Sequence, residues 1–262
     1  MSARRPAAAA RALELALALV SPVAIAQSRE NPFGSSAHMG PESPQHFAAE
    51  IRFAPFSPNV DSDPALGGKT PYQDAFGSAP RLMLSAELDW QALRIPHVGT
   101  IGPGVGAGYT SIGRPALFAT PHQPGGQLVS GEDTTLQIFP FYGVAVLRAD
   151  ALWRELGVPV VPYAKVGLGY ALWRASNTIG TSRTDGVSGE GHSIGTHFAL
   201  GVGLNLNPFD EYAAKTFDDS LGVNSSYLFG EWTYEDLSGL GLQSHPLRVG
   251  GTSWTFGLAF EF

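Results

Sequence analysis

From His46 onward, apolar and polar positions alternate with a period of two. Phe47, Ala49, Ile51 and Phe53 alternate with Ala48, Glu50, Arg52 and Ala54, and Leu82, Leu84, Ala86, Leu88 and Trp90 with Arg81, Met83, Ser85, Glu87 and Asp89. Ala164, Val166, Leu168, Tyr170 and Leu172 form one face of a third segment, Thr196, Phe198, Leu200, Val202 and Leu204 of a fourth, and Trp254, Phe256, Leu258, Phe260 and Phe262 of a fifth. Successive side chains of a strand point to opposite faces, so each segment has one apolar face and one small or polar face. Three weaker candidates follow the same rule: Ile101 to Thr110, Ser226 to Tyr234, and Leu136 to Leu147, which is apolar on both faces and gives no sign of its outside. The pattern predicts an all-β fold of about eight antiparallel strands of roughly ten residues, the length a tilted strand needs to cross a bilayer.

The less apolar face distinguishes a barrel in lipid from a sandwich in water. It is rich in Gly and Ala and carries few of the Lys and Glu residues that a solvated face would show. Small residues and a few paired charges suit the narrow interior of a small barrel. The apolar faces carry Trp90, Tyr170, Tyr234 and Trp254, candidates for an aromatic girdle at the headgroups. The expected architecture is a transmembrane antiparallel up-and-down β-barrel over residues 46–262. Its short turns are Gln91 to His97, Ala149 to Pro159 and Asn207 to Leu221, with a helical turn expected at Glu211 to Phe217. Its longer outer loops are Ser57 to Pro80, Ser111 to Glu132, Ala175 to His192 and Glu235 to His245.

Composition narrows the classes further. Charged residues make up 15% of the 262, against about 25% in typical domains, and the net charge is -7. That argues against a nucleic-acid partner, which requires a basic stripe. There are no Cys residues, which excludes disulfide frameworks and thiolate chemistry. No cofactor and no metal are implied.

The two ends of the chain carry addresses. Met1 to Ala26 reads as a secretory signal: Arg4 and Arg5, an apolar stretch from Leu13 to Val20, and the small-residue box Ala24-Ile25-Ala26, with cleavage expected after Ala26. Residues 27–45 lack periodicity and read as a flexible periplasmic tail. The C-terminal strand ends on Phe262. With Thr255, Gly257 and Phe260 it resembles the insertion signal read by the outer-membrane assembly machinery, the partner expected alongside outer-membrane lipid. Trp90 to Thr100, Val161 to Asn177, Phe209 to Lys215 and Trp254 to Phe262 resemble an uncharacterised family of bacterial outer-membrane β-barrel proteins of small, OmpA-like architecture. The resemblance implies the fold and the bacterial outer membrane as location, and carries no catalytic residues.

The inward-facing ionisable set is Glu50, Arg52, Arg81, Glu87, Asp89, Lys165, His197, Glu231 and Glu261. Buried charges are costly unless paired, so the set reads as a charge network plugging the lumen. The leading expectation is a non-enzymatic structural or surface-interaction protein. A narrow pore for ions or small solutes is the alternative, and an outer-membrane lipid-modifying hydrolase using Ser193 and His197 a second one. Against the hydrolase, those two residues share a face but lie four residues apart, roughly 13 Å at strand rise. Gly102 to Gly108 suits a strand rather than a dinucleotide loop, and Asn59 to Asp63 lacks a full calcium ligand set.

Overall fold

A computed structural model describes residues 46–117, 129–184, 187–243 and 246–262. The expected signal peptide and tail lie outside these residues. Eight long strands form a closed antiparallel barrel: β1 (Phe47–Phe56), β2 (Arg81–Trp90), β3 (Gly99–Leu117), β4 (Val129–Arg148), β5 (Val160–Asn177), β6 (Glu190–Asn205), β7 (Ser225–Asp236) and β8 (Gly251–Glu261). Each pairs with its sequence neighbours. The ring closes where β1 meets β8, from Ala48 opposite Glu261 to Phe53 opposite Phe256. The backbone oxygen of Phe262 accepts from the N–H groups of His46 and Phe47, at 3.0 and 2.9 Å. Closure satisfies the strand edges that lipid could not.

The parity is that of the sequence. Ile51, Phe53, Leu84, Val166, Leu200 and Phe256 face out and are exposed, while Glu50, Arg52, Glu87, Lys165 and Ala199 face in and are buried. The ambiguous segment resolves as Tyr142, Val144, Val146 and Arg148 inward and Phe139, Phe141 and Leu147 outward. Three lumenal aromatics each lie across a strand pair from a glycine: Tyr142 from Gly106, Tyr163 from Gly201 and Phe229 from Gly257. Each ring occupies the place a Cβ on that glycine would take. The inner face is therefore glycine-rich because bulky rings must fit in a tube only eight strands wide.

The strands exceed the expected ten residues on one side of the barrel. β3, β4, β5 and β6 hold 19, 20, 18 and 16 residues. Segments expected as loops, Ser111 to Glu132 and Ala175 to His192, are partly continuations of these hairpins. Their outward positions are small or polar, with Ser111, Gly113 and Glu190 exposed and Ser176 partly exposed, so no apolar outer face marks them as strand.

At one end the turns are short. Gln91 to Val98 includes a three-residue strand, Leu93–Ile95, against β3, and the next turn carries helix α2 (Ala151–Leu156) after Asp150. Arg94 pairs with Asp150 at 2.9 Å, and His97 Nδ1 with Glu155 at 2.8 Å, joining these two turns. The third connection carries α3 (Glu211–Leu221), one turn longer than the sequence suggests. Asn207 fastens it: its Nδ2 donates to Asn224 O at 2.7 Å and its Oδ1 accepts from Ser226 N at 3.1 Å.

At the other end the connections fold over the opening. In the first, α1 (Pro71–Phe76) is capped by Asp61, whose carboxylate accepts from the N–H groups of Tyr72 and Gln73 at 2.7 and 2.9 Å. Asp63 caps a preceding turn by accepting from Ala65 N. The acidic residues weighed as calcium ligands are thus engaged as caps. In the last connection, the Gln243 side chain donates to His192 O and accepts from Ile194 N, at 3.1 and 3.2 Å. One amide thereby substitutes for a neighbouring strand along β6 above the point where β7 ends.

Candidate functional site: the filled lumen

The turn-side half of the lumen is ionic. Five carboxylates, Glu50, Glu87, Asp89, Glu231 and Glu261, surround three cations, Arg52, Arg148 and Lys165, all buried. Arg52 Nη1 donates to Glu50 and Glu87, each at 2.7 Å, and its Nη2 donates to Glu231. Lys165 Nζ lies 2.8 Å from Glu50, 2.6 Å from Glu87 and 3.3 Å from Glu231. Arg148 bridges Glu50 and Asp89 at 2.7 Å each and approaches Glu261 at 4.0 Å. Neutral donors complete the set: Tyr142 donates to Glu87 at 2.7 Å, Tyr227 to Glu261 at 2.9 Å, Gln91 to Glu261 at 2.8 Å and Thr233 to Glu231 at 2.9 Å. Rings also line the cations, with Tyr163 5.0 Å from Lys165 and 5.5 Å from Arg148.

Strand register explains the convergence. Glu50 is directly opposite Glu87 and Arg52 opposite Gly257, while Lys165 is opposite Val146 and Ala199. Like-charged neighbours on adjacent strands repel, and Arg52 and Lys165 reach in from other positions to satisfy both carboxylates. Oxygens of Glu50, Glu87 and Asp89 lie within 4.8 Å of one another, a spacing that fits a metal ion. Here Arg52, Arg148 and Lys165 already supply the positive charge at those oxygens, so the donor set does not fit an additional cation.

The loop-side half is apolar. Ala54, Phe56, Met83, Ile112, Leu136, Ile138 and Ala171 come from strands. Tyr72 and Phe76 come from the first connection, and Leu237 and Val249 from the last. The Tyr72 and Phe76 rings meet at 5.5 Å. Burial pushes the Tyr72 phenol above its ordinary pKa, which nearby Arg81 opposes and Asp61 reinforces. Between the two halves lies a cavity of about 30 Å³, bordered by Arg52, Tyr142, His197, Thr233 and Glu235 among others. It is large enough for a water molecule.

Of the residues expected in the charge network, Glu50, Arg52, Glu87, Asp89, Lys165, Glu231 and Glu261 come together. Arg81 does not. It starts β2 at the loop end, partly exposed beside Tyr72 and six residues from Glu87, roughly 20 Å along the strand. Its parity is inward, but its depth is wrong. His197 is buried yet separate: Nδ1 pairs with Glu235 at 2.9 Å and the ring stacks on Tyr142, centroids 4.2 Å apart. Ser193 Oγ donates to Leu247 O at 2.6 Å, so neither hydrogen bond joins the Ser193 and His197 of the hydrolase alternative.

Four lumenal residues escaped the sequence reading: Arg148, Tyr142, Tyr163 and Glu235. Arg148 follows the segment whose outside was unassigned. The available signal was charge, since five inward carboxylates outnumber the inward cations Arg52, Arg81 and Lys165. Glu235 was placed in a loop and is the last inward charge of β7.

The remaining sequence candidates fall on two rims. Trp90 is exposed at the turn end, near the Phe47 and Phe262 rings, which stack at 6.2 Å. Tyr170, Tyr234 and Trp254 are exposed toward the loop end. Thr255 faces in, with its hydroxyl 3.1 Å from that of Thr233. Gly257 lets the Phe229 ring and the β1 backbone approach, and Phe260 and Phe262 face out.

No family model matches the chain, and no curated protein matches it. Among solved structures it is similar to Ail, the attachment invasion locus protein of Yersinia pestis, at 10% identity and TM-score 0.38, covering 83% of this chain and 97% of that one. It is also similar to the N-terminal β-barrel domain of Pseudomonas aeruginosa OprF, at 9% identity and TM-score 0.36, covering 83% and 98%. A third is a major outer membrane protein from Thermus thermophilus, at 12% identity and TM-score 0.38, covering 82% and 99%.

Proposed function

We propose that this protein is a bacterial outer-membrane β-barrel with a sealed lumen, acting as a structural or surface-interaction protein through its loop side. The observation that carries this is the inversion of inside and outside. Apolar side chains, from Ile51 and Phe53 to Phe256 and Leu258, are exposed around the wall, while three cations and five carboxylates are buried within it. An exposed apolar surface of that extent demands a cover, and a closed barrel can have one in lipid without leaving backbone groups unpaired. Among the described residues no helix is long and apolar enough to cross a membrane, so strands would do the crossing. A filled lumen leaves no path for solutes, which disfavours the pore.

On this reading Met1 to Ala26 is an export signal cleaved after Ala26. Thr255, Gly257, Phe260 and Phe262 are read by the assembly machinery, and Trp90, Tyr170, Tyr234 and Trp254 sit at the headgroups. The short turns face the periplasm and the long connections face outward. Because the chain has no Cys, single-cysteine variants test orientation cleanly. In intact cells a membrane-impermeant maleimide should label I179C, in the β5–β6 connection, and label L156C, in the α2 turn, only after lysis. Equal labelling of both in intact cells would overturn the assignment.

A further inference from the structure

Below the exposed wall, the short-turn end of the barrel carries a second apolar surface that the lumen and the strands leave unused. Leu93 and Ile95 in the first turn, Leu156 and Val158 in the second, and Phe209 and Leu221 in the third are all exposed. Turns facing water are expected to be polar, and single exposed apolar residues need no explanation, but here every turn on this end contributes a pair. The third turn organises its share on a helix. In α3, Ala214, Phe217 and Leu221 fall within a sector of about 60° around the axis, whereas Lys215, Asp218, Asp219 and Tyr212 lie outside it. Tyr212 is about 180° from Leu221 and is itself 85% exposed. Leu221 is 71% exposed and Phe217 43%, so the apolar face of α3 packs on little of the barrel.

We propose that this collar seats the short-turn end in the headgroup layer of the same bilayer that surrounds the wall, with α3 lying on that layer through Phe217 and Leu221. The inference rests on the membrane reading above. Three features select lipid as the occupant. The apolar residues come from all three turns around the rim, which matches a partner that encircles the barrel rather than one bound at a single side. The collar is continuous with the wall, since β6 runs through Leu200, Val202 and Leu204 directly into the connection bearing Phe209. The opposite side of α3 carries Lys215, Asp219, Tyr212 and Thr216, as in a helix lying in an interface plane with its polar face to water. Asn207 and its bonds to Asn224 and Ser226 hold the start and end of the connection to the barrel, which keeps the helix at the rim.

The test uses nitroxide labels on single-cysteine variants of the full chain refolded in phosphatidylethanolamine and phosphatidylglycerol vesicles, with collision accessibility to oxygen and to a water-soluble nickel complex as readout. L258C, on the wall, reports whether the barrel spans the bilayer at all. The expected result is loss of nickel accessibility at L258C, F217C and L221C, with Y212C remaining open to nickel. Nickel-accessible labels at both F217C and L221C, with L258C shielded, would overturn the collar and leave the barrel reading intact. Exposure of L258C would overturn the membrane reading itself. Labels at F217C and L221C that are immobile and closed to both reagents would place protein on this face, a second copy or another chain, and would also overturn the proposal. Folding of each variant is checked by its heat-dependent gel mobility, and since these sites are exposed the label displaces no packed group.

Discussion

The two halves of the lumen solve the same problem by different means. The charges of the turn-side half all come from strands: Glu50 and Arg52 from β1, Glu87 and Asp89 from β2, Arg148 from β4, Lys165 from β5, Glu231 from β7 and Glu261 from β8, with Gln91 the neutral donor added from a turn. The loop-side half is filled from the strands and from chain that folds back over the mouth, Tyr72 and Phe76 on one connection and Leu237 and Val249 on another. Fixed register can bring eight charges into contact because hydrogen-bonded strands do not slip without turning every side chain to the wrong face. A plug made by connections needs no such accuracy, and apolar contacts tolerate it because they are not directional. On the proposed reading of a sealed lumen, this difference would separate a rigid seal from one that can open locally.

If that contrast is correct, the largest effect belongs to the ionic half. Arg52→Met leaves Glu50, Glu87 and Glu231 short of a partner, and breaking a buried ion pair costs about 3–5 kcal/mol. Denaturant unfolding of the refolded variant should show a loss of that size. Replacing Arg52 and Glu87 together by apolar residues should recover part of it, since the isolated charge is what costs.

In the apolar half, Ile138→Ala removes a fully buried side chain from a strand, with an expected loss of about 2–5 kcal/mol in the same unfolding measurement. Phe76→Ala should act differently. Its ring belongs to a connection, so the expected result is faster hydrogen exchange in residues 57–80 with a smaller change in global stability. Equal global losses from Phe76→Ala and Ile138→Ala would erase the distinction between a strand-built and a loop-built seal.

The smallest effects are expected at Tyr72. Its hydroxyl lacks a hydrogen-bond partner among the described residues, so Tyr72→Phe should change stability by less than about 1 kcal/mol. Its phenol pKa is raised by burial in the folded state. The stability tied to its neutral form is therefore present below the unfolded value of about 10 and lost as pH rises above it. Opening of the 57–80 connection above that pH, followed by hydrogen exchange or proteolysis, should be weaker in Tyr72→Phe.

The same contrast governs what the sequence reveals. Period-two alternation identified the faces of β1, β2, β5, β6 and β8, and more weakly that of β7, and with them seven of the nine lumenal charges proposed for one network. Depth along a strand was not legible, because parity is the same at both ends, and Arg81 was assigned to a cluster it does not reach. The segment from Leu136 to Leu147 hid its parity by being apolar on both faces: Val144 and Val146 face in, where wall residues such as Phe141 and Leu147 face out. Arg148 was lost with it. The loop-side plug was illegible for another reason. Tyr72, Phe76 and Leu237 sit in segments rich in Gly, Ser and Pro whose local pattern carries no period, and their partners are remote in sequence.

Single-channel conductance in a planar bilayer shows whether the lumen is sealed. The wild-type barrel, refolded and confirmed as folded by its heat-dependent gel mobility, should insert without current steps, and Arg52→Met should be the variant in which leakage first appears. Reproducible steps from the wild-type protein, altered in size by neutralising Lys165 or Glu231, would contradict the seal and make the ionic half the lining of a pore.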